Sequence, residues 1–160
     1  MQELKTTDCL EIDILDIGSL TINKNNLYPT QKDFYWKVEN NNFTVFNKSR
    51  QLGFTFISTG YLVEKAIIHG HKGALVSPSL RQSQNAMNYI ETWLDYFKSK
   101  FKNLPKITEQ NKSKIKFENG GEINALPNSA SGIRGLTLDI VIFDEFAHFL
   151  PGTDKVVYKA

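Results

Sequence analysis

Four consecutive apolar residues followed by two carboxylates, Ile140-Val141-Ile142-Phe143-Asp144-Glu145, constrain this chain more than any other feature. A continuous apolar run with no alternation suits a central parallel strand buried on both faces. Parallel strands need crossover connections, so a chain built around one is expected to be α/β. Such a strand also delivers the residues after it to the carboxyl edge of the sheet. There Asp144 can hold Mg²⁺ directly or through water, and Glu145 can orient and deprotonate an attacking water. A strand ending in two solvated acids would show the same six residues, so the rest of the chain has to decide between them.

The remaining elements follow from periodicity and punctuation. Residues 1–27 alternate acidic and aliphatic residues, as in Leu10-Glu11-Ile12-Asp13-Ile14, and read as a peripheral strand or short helix. Thr30 is the expected N-cap of a short helix starting near Gln31. FTVFN (43–47) reads as a strand, KSRQLGFT (48–55) as a loop, and the stretch to about His69 as amphipathic. Gly70 and Gly73 bracket the turn into a strand at Ala74-Leu75-Val76. Ser77-Pro78 then supplies an N-cap and a first-turn proline. Leu80, Met87, Ile90, Leu94, Phe97 and Phe101 make one apolar helical face. Residues 114–126, KIKFENGGEINAL, read as a hairpin. A loop of Asn119-Gly120-Gly121 pairs Phe117 with Ile123 and Ile115 with Ala125, and puts Gly121 in the left-handed position. The order strand, helix, strand, helix, hairpin, strand predicts one α/β domain with a mostly parallel sheet flanked by helices.

Composition narrows the function classes. Across 160 residues the formal charge is +2, which makes no overall electrostatic case for nucleic acid. The single cysteine, Cys9, allows neither an internal disulfide nor a cysteine zinc site, and fits a reducing compartment. No apolar run approaches the roughly 20 residues that span a bilayer, and the start lacks the pattern of a secretory signal. A soluble intracellular protein is expected. His69, His71 and His148 show no metal-ligand spacing with carboxylates. Lys98, Lys100, Lys102 and Lys106 fit a solvated helix end, where cations suit the dipole.

The strand–KSRQLGFT–helix unit has the layout of a phosphate-binding loop but departs from the G-x-x-x-x-G-K-[ST] pattern twice. Lys48 stands at the first glycine and Phe54 at the lysine, while Gly53 and Thr55 match. The physics of such a loop rests on backbone N–H groups at a helix N-terminus. Lys48 or Arg50 can bring the cation from the other limb, and Thr55 can offer its hydroxyl to Mg²⁺. A basic turn between a strand and a helix is the plainer alternative. The acidic pair farther along the chain, in the right order at another strand end, favours nucleotide chemistry. Gln31 can read the adenine edge through its amide, or simply sit in a helix cap. Arg134, in the glycine-flanked GIRG, fits a phosphate sensor, a DNA contact or a salt bridge.

YPTQ (28–31), KSRQLGFT (48–55), GALVSPS (73–79), FENGGEINAL (117–126), SGIRG (131–135) and IVIFDEFAHF (140–149) together resemble the ATPase domain of the large terminase subunit of tailed phages. The most specific part is the loop, a deviant Walker A with its lysine displaced to the start. The resemblance implies a P-loop NTPase fold of RecA-like, ASCE type, with residues 28–150 as the nucleotide-binding core. It implies an ATP-hydrolysing motor that moves double-stranded viral DNA in the host cytoplasm. The implied partners are a portal protein, a small terminase subunit and further copies in a ring, with no membrane. Lys48 would be the displaced phosphate lysine and Arg50 the loop arginine at the γ-phosphate. Ser49, Gln51, Leu52, Gly53 and Phe54 would complete the loop. Thr55 and Asp144 would be the Mg²⁺ pair, Glu145 the catalytic carboxylate and Gln31 the adenine reader.

The family's ATPase domain continues beyond the acidic pair with a coupling motif and is followed by a nuclease domain. Residues 1–160 are therefore expected to correspond to a partial ATPase domain, incomplete at its C-terminus and without the nuclease domain. The chain is expected to be a fragment with an open sheet edge, marginal alone. A cooperative melt with a high midpoint would contradict that. Two other readings fit the same residues: a helicase-like nucleic-acid translocase, and a non-catalytic remnant that binds nucleotide or partners. Phe54 favours the remnant, and the intact Asp144-Glu145 pair disfavours it.

Overall fold

The computed structural model describes residues 28–48, 52–129, 133 and 135–149. The chain divides into two compact units, Met1–Ile57 and Ser58–Ala160. The expected peripheral element at 1–27 lies outside the described residues.

In the first unit, α1 spans Pro29–Asn40, with Tyr28 as N-cap and Pro29 in the first turn. Proline is preorganised for that position and has no N–H to leave unpaired. The helix thus begins two residues before Gln31, and Thr30 lies inside it rather than capping it. The expected strand at 43–47 does not form: no described strand pairs with it. A β segment needs partners for its ladder and burial for alternate side chains. Here Phe43 and Val45 are each 77% exposed, and the inward residue is Phe46, whose ring lies 5.0 Å from Phe34 and 5.6 Å from Phe54.

The second unit is built on a five-stranded mixed sheet. Its strands are β1 (Lys72–Ser77), β2 (Ile107–Gln110), β3 (Lys114–Phe117), β4 (Glu122–Pro127) and β5 (Ile140–Phe143), in the order β2-β3-β4-β1-β5. β1 pairs in parallel with both β4 and β5. β2/β3 and β3/β4 are antiparallel. The expectation of a mostly parallel sheet is corrected accordingly: β2 was not foreseen, and the hairpin is one half of a three-stranded meander. β2 is tethered at the edge by Glu109, which meets Lys114 at 2.8 Å and Lys116 at 3.4 Å. The Lys114 hydrogen bond is the main cause holding the Glu109 carboxyl below its usual range.

β5 departs from expectation in its place. The strand with a neighbour on each side and Ala74, Leu75 and Val76 all fully buried is β1. β5 is the edge strand of the described sheet, with Val141 43% exposed. A continuous apolar run reports affinity for a two-sided environment, and only one neighbour is present among the described residues.

Two helices accompany this sheet. α2 (Phe54–His69) carries the boundary between the units; from Ser58 to Ile67 every residue is buried, Glu64 and Lys65 included. It is therefore enclosed rather than amphipathic. Leu62 lies against Gly73 of β1. α3 (Leu80–Lys100) packs on β1 and β4. Its N-cap is Ser79, whose Oγ accepts from the Gln82 N–H, so the helix opens two residues later than Ser77. Ser77 instead ends β1. Met87, Ile90, Leu94 and Phe97 are buried as expected, whereas Leu80 is exposed and Trp93 supplies the largest fully buried side chain.

The β3–β4 turn shows why the expected register slips. Ile115 pairs with Ile123, and Lys116 with Glu122. The three loop residues are Glu118-Asn119-Gly120, and Gly120, with φ +90°, takes the left-handed position. Gly121 is needed for another reason: a Cβ there would collide with the Ala66 carbonyl oxygen. Asn119 Nδ2 donates to that carbonyl (2.9 Å) and to the Ile67 carbonyl (2.8 Å), so the turn side chain caps the end of α2. These are among the carbonyls a helix C-terminus leaves without partners. Asn119→Ala is expected to cost about 1–2 kcal/mol, the value of one or two such bonds, measured as a lower urea midpoint at unchanged m-value.

Candidate functional site

The sequence-predicted site residues fall into two groups, one in each unit. Ser49, Arg50, Gln51 and Arg134 lie outside the described residues.

In the first unit Leu52 and Gly53 lead into the N-terminus of α2. Gly53 has φ +69°, and a Cβ there would come within 2.5 Å of Gln31 Nε2, so the position demands glycine twice over. The Gln31 amide holds the limb of the loop: Nε2 donates to the Leu52 carbonyl at 2.7 Å, and Oε1 accepts from the Tyr28 N–H at 3.0 Å. Each end of the amide keeps further hydrogen-bonding capacity. Phe54 packs its ring into an aromatic trio, edge-on to Phe34 at 5.6 Å. What it offers a ligand is therefore its backbone N–H at the helix start. Lys48 lies 5.9 Å over the Phe54 ring, half-buried. Thr55, also half-buried, is the second residue of α2. The described ends of the segment 48–55 thus carry a cation at Lys48 and, at the other end, a helix N-terminus with the Thr55 hydroxyl, the components of an anion cradle.

In the second unit the acidic pair sits at the carboxyl end of β5. The Asp144 N–H donates to the Val76 carbonyl at 2.9 Å, extending the parallel ladder by one step. Asp144 is half-buried and Glu145 exposed. Phe143, before the pair, and Phe146 and Phe149, after it, form an aromatic cluster with ring separations of 5.0–6.2 Å. Phe149 and Phe143 join Val76, Leu126 and Ile133 in a local core. At the end of neighbouring β1, the Ser77 hydroxyl is buried and has no hydrogen-bond partner.

Glu145 has φ +52° and ψ +40°, the only left-handed non-glycine residue among those described. A glutamate pays for that conformation in strain, of a kind found at functional sites. Its Oε2 accepts from Gln82 Nε2 at 2.6 Å. Gln82 Oε1 in turn accepts from the Ser79 hydroxyl at 2.8 Å. Sequence reasoning missed Gln82 and Ser79. The one available signal was Ser79-x-x-Gln82, the spacing of a helix capping box.

A single carboxylate fits Mg²⁺, which is held by one or two carboxylates plus phosphates and water rather than by a protein cage. Among the described residues no group of three or more His, Cys, Asp or Glu is placed to hold a metal ion. None of the described helices is long and apolar enough to cross a membrane. A family profile described as Terminase large subunit, T4likevirus-type, N-terminal, matches residues 45–155.

Proposed function

The chain belongs to the N-terminal family of T4-like terminase large subunits, and we propose that it is the ATP-hydrolysing part of a viral DNA-packaging motor with a P-loop NTPase fold. Family membership supports the packaging role. The observation that carries the ATPase reading is the Asp144-Glu145 pair at the carboxyl end of a parallel strand, within the matched segment.

In this reading the backbone of the Lys48–Thr55 loop and the start of α2 cradle the phosphates, and Lys48 supplies the cation. Arg50 stabilises charge at the γ-phosphate, and Gln31 reads the adenine with the amide capacity its structural bonds leave free. Thr55 and Asp144 are the residues that would each offer an oxygen to Mg²⁺, which would supply charge neutralisation to phosphoryl transfer. Glu145 orients the attacking water and takes its proton. Arg134 senses phosphate or touches DNA. Double-stranded DNA, a portal protein, a small terminase subunit and further copies in a ring are the partners of such a motor, working in the host cytoplasm.

A second reading has one observation in its favour. Phe54 stands where a phosphate-binding loop has its lysine and is committed to packing with Phe34 and Phe46. A chain that binds nucleotide or partners without turnover would tolerate that. The displaced-lysine assignment predicts that Lys48→Ala weakens Mg²⁺–ATP binding at least tenfold, about 1.4 kcal/mol, in a fluorescent-nucleotide titration. An unchanged Kd removes Lys48 from the site.

A further inference from the structure

We propose that Gln82 is a positioning residue for the carboxylate of Glu145, held to that task by Ser79; the assignment rests on the ATPase reading above. Ser79 and Gln82 have the spacing of a capping box, in which the third-residue glutamine turns back to the cap's own N–H. Only half of that arrangement is present. The Ser79 Oγ accepts from the Gln82 N–H at 3.3 Å, but the Gln82 side chain goes elsewhere. Its oxygen takes the Ser79 hydroxyl proton as a hydrogen bond, and its nitrogen reaches across 63 residues of sequence to Glu145.

The chemistry fixes the orientation of the amide. An ionised carboxylate only accepts, so the nitrogen must face Glu145. The oxygen then faces Ser79, whose hydroxyl can both donate and accept. Ser79 grips Gln82 at main chain and side chain together, leaving the amide little freedom. Glu145, by contrast, is exposed, on a turn, and would sample several rotamers unaided. One short hydrogen bond selects one of them and occupies one lone-pair site, leaving the rest of the carboxylate for water. The start of α3, directly after β1 and beside β5, thereby sets where the base of the reaction points.

The test is steady-state ATP turnover by Gln82→Met, which keeps the length and volume of the side chain and removes the donor. The expected result is a kcat about 10–100-fold lower, by analogy with the loss when a hydrogen-bond partner that orients a metal ligand is removed. KM and the urea midpoint should remain close to wild type. Gln82→Asn, too short to reach, should behave like Gln82→Met. In a Glu145→Asp background, where the carboxylate is one methylene shorter, Gln82→Met should cost much less than in the wild type, because partners in one interaction are not additive. A wild-type kcat in Gln82→Met overturns the positioning role and leaves the ATPase reading standing. An equal loss in both backgrounds, or a loss that tracks a lowered urea midpoint, makes Gln82 structural and also overturns it. A wild-type protein without turnover overturns the ATPase reading and the positioning role together.

Discussion

Glu145→Gln is expected to lower ATP turnover by about 10²–10⁴-fold, the contribution of a positioned general base, while leaving the Kd for Mg²⁺–ATP within about twofold of wild type. The substitution keeps the shape of the side chain and its place on an exposed turn, so the fold should not respond. In the proposed mechanism the phosphates are left to the loop and Asp144, so binding should not depend on this carboxylate. The group lost is the one proposed to accept a proton from the attacking water. The split between rate and affinity is the informative part. Equal loss of binding and turnover would make Glu145 a ligand-binding or structural residue and remove its catalytic assignment.

Trp93→Ala is expected to destabilise the protein by about 3–5 kcal/mol, the range for emptying a buried aromatic site. That is a large share of the 5–15 kcal/mol typical of a domain. Trp93 is fully buried on α3, with Tyr96 and Phe97 at 6.1 and 6.3 Å. Its indole lies so close to α2 that a Cβ on Gly60 would stand 2.5 Å from the ring. This close approach gives the prediction a second arm. Gly60→Ala alone should cost about 1–3 kcal/mol through overpacking. In the Trp93→Ala background that clash is gone, and the better helix propensity of alanine should make the same change neutral or stabilising. Chemical denaturation of the four proteins reads the cycle. Additive losses would mean that the two residues are not packed as described.

The parts of the fold legible in the sequence are those set by local chemistry. The β1 segment, the long helix α3 and the β3–β4 hairpin all follow from periodicity, caps and glycines. The misread parts depend on distant partners. Gly121 was assigned to the turn because a loop of Asn119-Gly120-Gly121 keeps Phe117, Ile123, Ile115 and Ala125 on one apolar face; its actual requirement is the Ala66 carbonyl on a separate helix. FTVFN has strand composition, yet no described strand pairs with it. β5 has the composition of a central strand and stands at the edge of the described sheet. In each case composition reports what a segment tolerates, while the ladder reports what it meets.

For the site, the residue types at the end of β5 and around Gly53 were legible because their chemistry is local: acids after a strand, glycine before a helix. The left-handed backbone of Glu145 and its bond to Gln82 were not. Residues 63 apart are joined only by the parallel pairing of β1 with β5, which brings the start of α3 to the acidic turn. The part played by Gln31 was open for the same reason. Its amide is tied to Leu52 through a contact that only the folded loop creates.

The most direct measurement of the central claim is phosphate release after mixing the protein with ATP, in Mg²⁺ and in excess chelator. The account predicts multiple turnovers in Mg²⁺, none in chelator, and almost none from Glu145→Gln in either condition. ATP binding by the wild-type protein with no phosphate release above the Glu145→Gln level would contradict it, and would make this chain a nucleotide-binding element without catalysis.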